Sequence, residues 1–174
     1  MVTGIDIAKL IAHTDASKAP VRLEYVRGRA KWEASPASRH QKTLQRIERS
    51  LRPIPGRPDG CGCFALADTL IRFGDPDRSI KRPDLAIFCT EPPDSDEALE
   101  IIPEAVVEVI SLGYEEKDLG ADGAPFYLAY GVRNVLIVDP GASIVYHDAL
   151  GHERRTLTVP TSIDLACGCQ VTIS

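Results

Sequence analysis

An acidic residue in the middle of an apolar segment is the first feature of this sequence with clear chemical meaning. Glu108 stands at the centre of Val106-Val107-Glu108-Val109-Ile110, a valine-rich run typical of a buried β-strand. Because burying an unpaired carboxylate is costly, we expect a cation, a hydrogen-bond donor or a proton beside it. A glutamate that faces solvent or pairs with an arginine on a half-exposed strand is the alternative.

A second acid stands at the entrance of another predicted strand. Asp84 directly follows Pro83 and begins an apolar run that ends at Cys89. Neighbouring strands lie about 4.8 Å apart, so acids on two of them can share one hard cation. Mg²⁺ and Mn²⁺ suit such a site, and metal-assisted phosphodiester hydrolysis uses one. A plain Pro-Asp turn at the strand entrance is the simpler interpretation.

Three further residues could support such a site. Glu24, within a short predicted strand, could be a third acid or an ordinary surface residue. Lys117 follows Glu108 by nine residues and could orient an attacking water, although a lysine between two acids is usually solvated. His40 lies on the apolar face of a predicted helix and should point inward. The alternative is a core histidine whose hydrogen bonds are satisfied and which has only a structural role.

The helix that carries His40 is the best-marked element of the sequence. Ser38 and Gln41 fit a capping box, and Pro53 follows the helix. Its apolar face repeats at helical spacing through His40, Leu44, Ile47 and Leu51. A basic stripe repeats along another face: Lys42, Arg46 and Arg49. We expect that stripe to be exposed and to contact a DNA backbone.

The remaining periodicity indicates many short strands and few helices. Strands are predicted at Val21–Val26, Ala30–Glu33, Phe64–Phe73, Asp84–Cys89, Ala105–Ile110, Arg133–Asp139, Ser143–His147, Glu153–Val159 and Ile163–Ile173. Short helices are predicted at 5–11 and at Phe126–Tyr130. This pattern predicts an α/β (α+β) chain forming a single domain over residues 1–174.

Charge and cysteine content narrow the class of protein. The net charge of −5 combines +6 in the first 87 residues with −11 in the rest, which excludes a histone-like polycation. No apolar run is long enough for a membrane helix. An odd number of cysteines, five, favours reduced thiols and a cytoplasmic protein. Two Cys-Gly-Cys pairs, at 61–63 and 167–169, could hold structural zinc, but small core residues are the simpler interpretation.

Several short blocks occur in an order that resembles one family. They are Leu23-Glu24-Tyr25, Ser35-Pro36-Ala37-Ser38-Arg39-His40, Arg82-Pro83-Asp84-Leu85-Ala86-Ile87, Val106–Ser111 and Val138-Asp139-Pro140. Together they resemble the Uma-type putative restriction endonucleases of the PD-(D/E)XK nuclease superfamily. The resemblance implies a central mixed sheet flanked by helices and divalent-metal-dependent DNA cleavage. It assigns Asp84 and Glu108 as the two acids, Glu24 as a third metal ligand, and His40 as the helix histidine.

One position departs from the superfamily pattern. The lysine usually found two residues after the second acid is replaced by Ile110. We therefore assign catalysis to Asp84, Glu108 and Lys117, with Arg82 as the rival cation. A catalytically silent binding or partner domain is the alternative function. Cleavage of both DNA strands by a one-site domain favours a homodimer, with Ser143–His147 as the expected interface.

Overall fold

The computed structural model describes residues 7–57 and 60–174 and shows a mixed α+β fold. Its helices are α1 (Ile7–Ala16), α2 (Ser38–Ser50), α3 (Glu115–Leu119) and α4 (Ala124–Ala129). Its strands are β1 (Val21–Val26), β2 (Arg29–Ala34), β3 (Arg52–Pro53), β4 (Phe64–Ala67), β5 (Ile71–Arg72), β6 (Ile80–Lys81), β7 (Leu85–Phe88), β8 (Ala105–Val109), β9 (Asn134–Asp139), β10 (Ile144–Ala149), β11 (Arg155–Thr158), β12 (Thr161–Asp164) and β13 (Cys169–Ile173).

The central sheet has six strands in the order β11-β10-β9-β8-β7-β4. Strands β8 and β9 run parallel, and the other neighbouring pairs run antiparallel. Every residue of β7 and β8 is buried, which explains their nearly continuous apolar composition. One apolar core covers each face of this sheet, and α2 packs on one side while α4 packs on the other.

Two smaller sheets complete the fold. The four-stranded sheet β2-β1-β6-β5 brings the N-terminal hairpin next to the start of β7. The three-stranded sheet β12-β13-β3 packs under α2. The predicted strand Ile163–Ile173 is two strands, because a turn hydrogen-bonded from Leu165 N–H to the Cys169 carbonyl interrupts it at Gly168, whose φ is +92°. The predicted strand Phe64–Phe73 is likewise divided into β4 and β5.

The long helix α2 has the predicted inward face but not the predicted cap. His40, Thr43 and Ile47 are buried. The capping box was wrong: Ala37 is the N-cap residue, Ser38 already lies in the first turn, and no side chain caps the helix. Because the extended Ala37 is the N-cap, the helix begins one residue earlier than the Ser38 pattern required.

The N-terminal helix and the cysteines also differ from expectation. The helix α1 is longer than the predicted 5–11 segment, whose first two residues lie outside the described part of the chain. Reduced cysteines were expected, but the structure pairs Cys61 with Cys89 and Cys63 with Cys169, because the fold brings distant segments side by side. Over residues 7–57 and 60–174, no helix is long and apolar enough to cross a membrane.

Candidate active site

The central sheet brings the two predicted acids to the same point. Leu85 pairs with Val107 in the antiparallel ladder of β7 and β8, so continuing the register by one residue sets Asp84 opposite Glu108. The Asp84 amide donates a hydrogen bond of 3.2 Å to Glu108 Oε2. Asp84 is 2% exposed and Glu108 is 1% exposed. Both carboxyl groups are therefore buried, which excludes the interpretation of Glu108 as a residue that faces solvent.

Asp84 is held by groups from three other elements. Its Oδ2 accepts a 2.8 Å hydrogen bond from the Val109 amide, and its Oδ1 lies 3.3 Å from the Arg22 guanidinium. His40 Nε2 lies 3.1 Å from Oδ2, although it is not well aligned as a hydrogen bond. Burial would raise the pKa of Asp84, but His40 and Lys117 bring it below its usual value. Asp84 is thus ionised and fixed in orientation.

Glu108 is in a different electrostatic state. Its Oε1 accepts a 2.6 Å hydrogen bond from the Tyr127 hydroxyl, and its Oε2 lies 3.9 Å from Lys117 Nζ. Burial raises the pKa of Glu108 to about 8, and repulsion from Asp118 and Asp84 adds to the increase against the pull of Lys117. In the metal-free protein at neutral pH, Glu108 therefore carries a proton for much of the time.

The third acid, Glu24, reaches the site from the neighbouring sheet. Arg22, Glu24 and Val26 form the buried face of β1, so the surface interpretation of Glu24 is excluded. Its Oε1 accepts a 2.6 Å hydrogen bond from the Arg82 amide. Its Oε2 lies 3.9 Å from Lys81 Nζ and has no hydrogen-bond partner among the residues that the structure describes. Burial would raise the pKa of Glu24, but Lys81 and Lys117 lower it below its usual value.

Lys117 turns back over the sheet from the short helix α3. Its ammonium lies 3.2 Å from Glu33 and 3.4 Å from Asp118, in addition to its contact with Glu108. Burial would lower the pKa of Lys117, but Glu108 and Glu24 raise it well above its usual value. The group is consequently a fixed positive charge next to the acids. Burial raises the pKa of Asp118 to about 6.

Negative groups outnumber positive ones in this part of the molecule. Among the described residues, five carboxylates that are buried or half-buried contact or face three cations: the acids are Glu24, Glu33, Asp84, Glu108 and Asp118, and the cations are Arg22, Lys81 and Lys117. We call this set the acidic centre. Its surplus of carboxylate oxygens suits a hard divalent cation. In the part of the chain that the structure describes, the ligand oxygens of Glu24, Asp84 and Glu108 do not all lie within 4.8 Å of one another, so an ion shared by the three would require side-chain movement.

Two clefts lead to the acidic centre from solvent. One, of about 330 Å³, is lined by Glu24, Lys117 and Trp32 among others. The second, of about 620 Å³, reaches Asp84 and is lined by His40 and Arg22. Glu24 and Asp84 are therefore buried but line clefts that open to solvent, whereas Glu108 lies behind them and lines neither cleft.

The other predicted site residues lie away from the acids. The Arg82 side chain points to Asp15 and Asp68, with distances of 3.0 Å and 3.4 Å, and only its amide contacts the acidic centre through Glu24. Lys42, Arg46 and Arg49 are all exposed on α2. Ile110 packs into the apolar core together with Val106, on the same strand face as Glu108.

Several members of the acidic centre were not identified from the sequence. Arg22 stands two residues before Glu24 on the same face of β1, and this alternation was a usable signal. Tyr127 lies in a predicted helix, but nothing local indicates that its hydroxyl meets Glu108. Lys81 contacts Glu24, and its ammonium also lies 4.4 Å from the Tyr127 ring centre.

Comparisons with known proteins agree with this architecture. A crystal structure of a putative nuclease of the DUF820 group from Anabaena variabilis superposes with a TM-score of 0.64, covering 84% of this chain and 83% of that chain at 16% identity. At this identity the likeness shows a shared fold, which confirms the predicted fold class. No curated protein shows significant similarity to the chain. The family model described as Uma2, putative restriction endonuclease, matches residues 10–165, so the chain belongs to that family.

Proposed function

We propose that this protein is a divalent-metal-dependent endonuclease that hydrolyses DNA phosphodiester bonds. Glu24, Asp84 and Glu108 would hold Mg²⁺ or Mn²⁺. The observation that carries the proposal is the acidic centre, where five carboxyl groups contact or face three cations and Glu108 holds a proton that a metal could replace. Membership of a nuclease family supports the same reaction class.

The surrounding residues would prepare the site for phosphodiester hydrolysis. Bound Mg²⁺ would offset negative charge on the phosphate and help to ionise a water. Lys117, which stays protonated, donates hydrogen bonds to the attacking water and stabilises charge that develops on the phosphate. Tyr127 fixes one oxygen of Glu108, and His40 with Arg22 fixes Asp84. The catalytic set is Asp84, Glu108 and Lys117.

The surface around the clefts suits a DNA strand. Lys42, Arg46 and Arg49 extend an exposed positive stripe along the helix that also carries His40. Trp32 is 64% exposed and lines the cleft that reaches Glu24 and Lys117, where an indole can stack on a base. A homodimer would present two such sites for the two strands of a duplex. We propose the cytoplasm as the compartment in which it acts.

The direct test is cleavage of supercoiled plasmid and linear duplex DNA by the purified chain. We expect nicking and linearisation with Mg²⁺ or Mn²⁺, and none with a chelator. Asp84→Ala and Glu108→Ala should each lower the rate by about 10²-fold or more, because each removes a metal ligand. Glu153→Ala, which changes an exposed glutamate outside the site, is the matched control and should cut at the wild-type rate.

Binding is measured separately from cleavage. Trp32 is the single tryptophan of the chain, so its fluorescence reports DNA that enters the cleft. A wild-type protein that changes Trp32 fluorescence with DNA but cuts nothing with either metal would contradict the endonuclease proposal. That outcome would favour the catalytically silent binding domain, for which Ile110 at the usual lysine position is the supporting observation.

A further inference from the structure

All five cysteines of the chain meet in one cluster. They come from three segments that are far apart in sequence: Cys61 and Cys63 precede β4, Cys89 follows β7, and Cys167 and Cys169 surround the turn before β13. All five cysteines also belong to the apolar core on one face of the central sheet or pack against it. Here the sulfurs of distant segments form two overlapping groups of three that share Cys61, at one place in the apolar core. We call this set of five the sulfur cluster.

Distances within the sulfur cluster match those of a thiolate metal site. The sulfurs of Cys61, Cys63 and Cys169 lie within 4.8 Å of one another, and so do those of Cys61, Cys89 and Cys167. Cys61 Sγ and Cys169 Sγ, which belong to different disulfides, are 3.3 Å apart. Four thiolates around Zn²⁺ are separated by about 3.8 Å, because Zn–S bonds of about 2.3 Å meet at tetrahedral angles. Among the residues that the structure describes, no group of three within 4.8 Å combines Cys89 with Cys63 or Cys169, so binding of one ion by these four requires the Cys89 side chain to rotate towards the other two.

The backbone of the first Cys-Gly-Cys segment is shaped by close packing. A Cβ atom on Gly62 would lie 2.3 Å from the Phe64 ring and 3.1 Å from the Cys89 carbonyl oxygen. The Gly62 amide also donates a 2.8 Å hydrogen bond to that carbonyl. The glycine therefore allows the Cys61–Cys63 segment to lie directly against Cys89. The second segment turns at Gly168, in the left-handed region, and brings Cys169 to the same place.

We propose that the reduced chain binds one Zn²⁺ through Cys61, Cys63, Cys89 and Cys169. Each disulfide first takes two electrons and two protons from a dithiol or phosphine reductant. The four resulting thiols then release four protons as four thiolates bind the ion. Cys167 is buried, is outside both disulfides and remains a neutral thiol.

The location makes this zinc site structural. Cys89 lies at the opposite end of β7 from Asp84, five residues along the chain, which is about 16 Å in an extended strand. The ion would join the loop before β4, the end of β7 and the start of β13, so it would connect the central sheet to the three-stranded sheet. It would stabilise the fold without contacting the acidic centre.

Metal titration of the full chain tests the proposal. The protein is treated with a phosphine reductant under anaerobic conditions, mixed with Zn²⁺ and desalted, and its metal content is measured. We expect about one Zn²⁺ per chain. Co²⁺ in its place should give the sulfur-to-cobalt charge-transfer bands of a thiolate site, which carboxylates do not produce. The zinc-loaded chain should melt at a higher temperature than the reduced, metal-free chain.

Matched variants locate the ion. Cys61→Ser should abolish the cobalt bands, and Cys63→Ser, at a half-buried position, provides a second variant if the first does not fold. Cys167→Ser should keep them, and so should Glu108→Ala, which removes the carboxylate site instead. A reduced wild-type chain that retains no zinc and shows no sulfur-to-cobalt bands would overturn the proposal. Loss of zinc in Cys167→Ser equal to that in Cys61→Ser would overturn the ligand assignment.

Discussion

Glu108 is a buried acid whose protonation controls what the site can bind. Its pKa of about 8 means that a metal must displace a proton near neutral pH. We expect Mn²⁺ affinity to increase from about pH 6.5 to about pH 8, by up to about tenfold per pH unit. Calorimetry in buffers of different ionisation enthalpy would count the released proton. Equal affinity at both pH values, with no proton release, would contradict this prediction.

The raised pKa of Glu108 also affects the folding stability of the metal-free protein. The unfolded chain ionises Glu108 near its ordinary pKa of 4.5, whereas the folded chain keeps the proton up to about pH 8. The contribution of this proton to stability is fully present below the pKa that Glu108 has in the unfolded chain. It is lost as the pH rises through the pKa that Glu108 has in the folded chain. In the metal-free protein at about pH 8, Glu108→Gln should therefore raise the melting temperature, as scanning calorimetry would show. A lower melting temperature would indicate that Glu108 is ionised and well paired.

Lys117 is the residue to which we assign the stabilisation of the transition state. Lys117→Met should lower the DNA cleavage rate by about 10²-fold or more while leaving metal binding nearly intact, because the methionine keeps the volume but not the charge. Lys18→Met, which removes an exposed lysine far from the acids, is the control. Cleavage by Lys117→Met at the wild-type rate would contradict the assignment. Arg82, whose side chain is paired with Asp15, would then be tested next.

At the scale of elements, the helix α2 has one face that packs into the protein and another that is exposed to solvent. Its inner face buries His40 against Asp84 and Ile47 against the sheet, and its outer face exposes the basic stripe. Because both faces belong to one helix, DNA bound by the stripe as proposed would have a fixed position relative to the acids. The helix would therefore link contact with the DNA backbone to the position of the phosphate in the cleft.

The basic stripe predicts a salt-dependent contribution to binding. Replacing Lys42, Arg46 and Arg49 together by alanine should reduce the slope of log affinity against log salt by up to about three counterions. Fluorescence anisotropy of labelled DNA over a series of salt concentrations would measure it. Exchanging lysine for arginine and arginine for lysine at the three positions preserves charge and should preserve the slope. An unchanged slope in the alanine variant would mean that the stripe only increases solubility.

At the scale of the whole molecule, the sheet order limits how two copies can associate. The predicted interface strand, now β10, has β9 and β11 as neighbours on its two edges, so it cannot extend a sheet across a dimer. The strand at this edge of the sheet is β11, next to β10. Two copies could therefore extend the sheet by pairing through their β11 strands. We expect a homodimer of twice the 18.9 kDa chain mass in sedimentation or light-scattering measurements. A single-chain mass at micromolar concentration would contradict it.

The sequence alone determined the features that depend on local pattern. A carboxylate inside a valine run marks Glu108, a 3.6-residue period marks α2, and the order of short blocks indicated the family that the comparison then showed. Each of these patterns can be recognised from the sequence because each strand, helix or block is defined by residues close together in the chain. The basic stripe on α2 is likewise a property of one helix, and its exposure follows from the same period.

Only the tertiary structure decided what surrounds each of these residues. Arg22 meets Asp84 across 62 positions and Lys117 meets Glu33 across 84, and no local pattern encodes such pairs. The position of Glu24 on a buried face, the hydroxyl of Tyr127 at Glu108 and the meeting of five cysteines likewise depend on packing between distant segments. The pKa of each acid depends on its burial and on the charges around it. These surroundings are set only when the chain has folded.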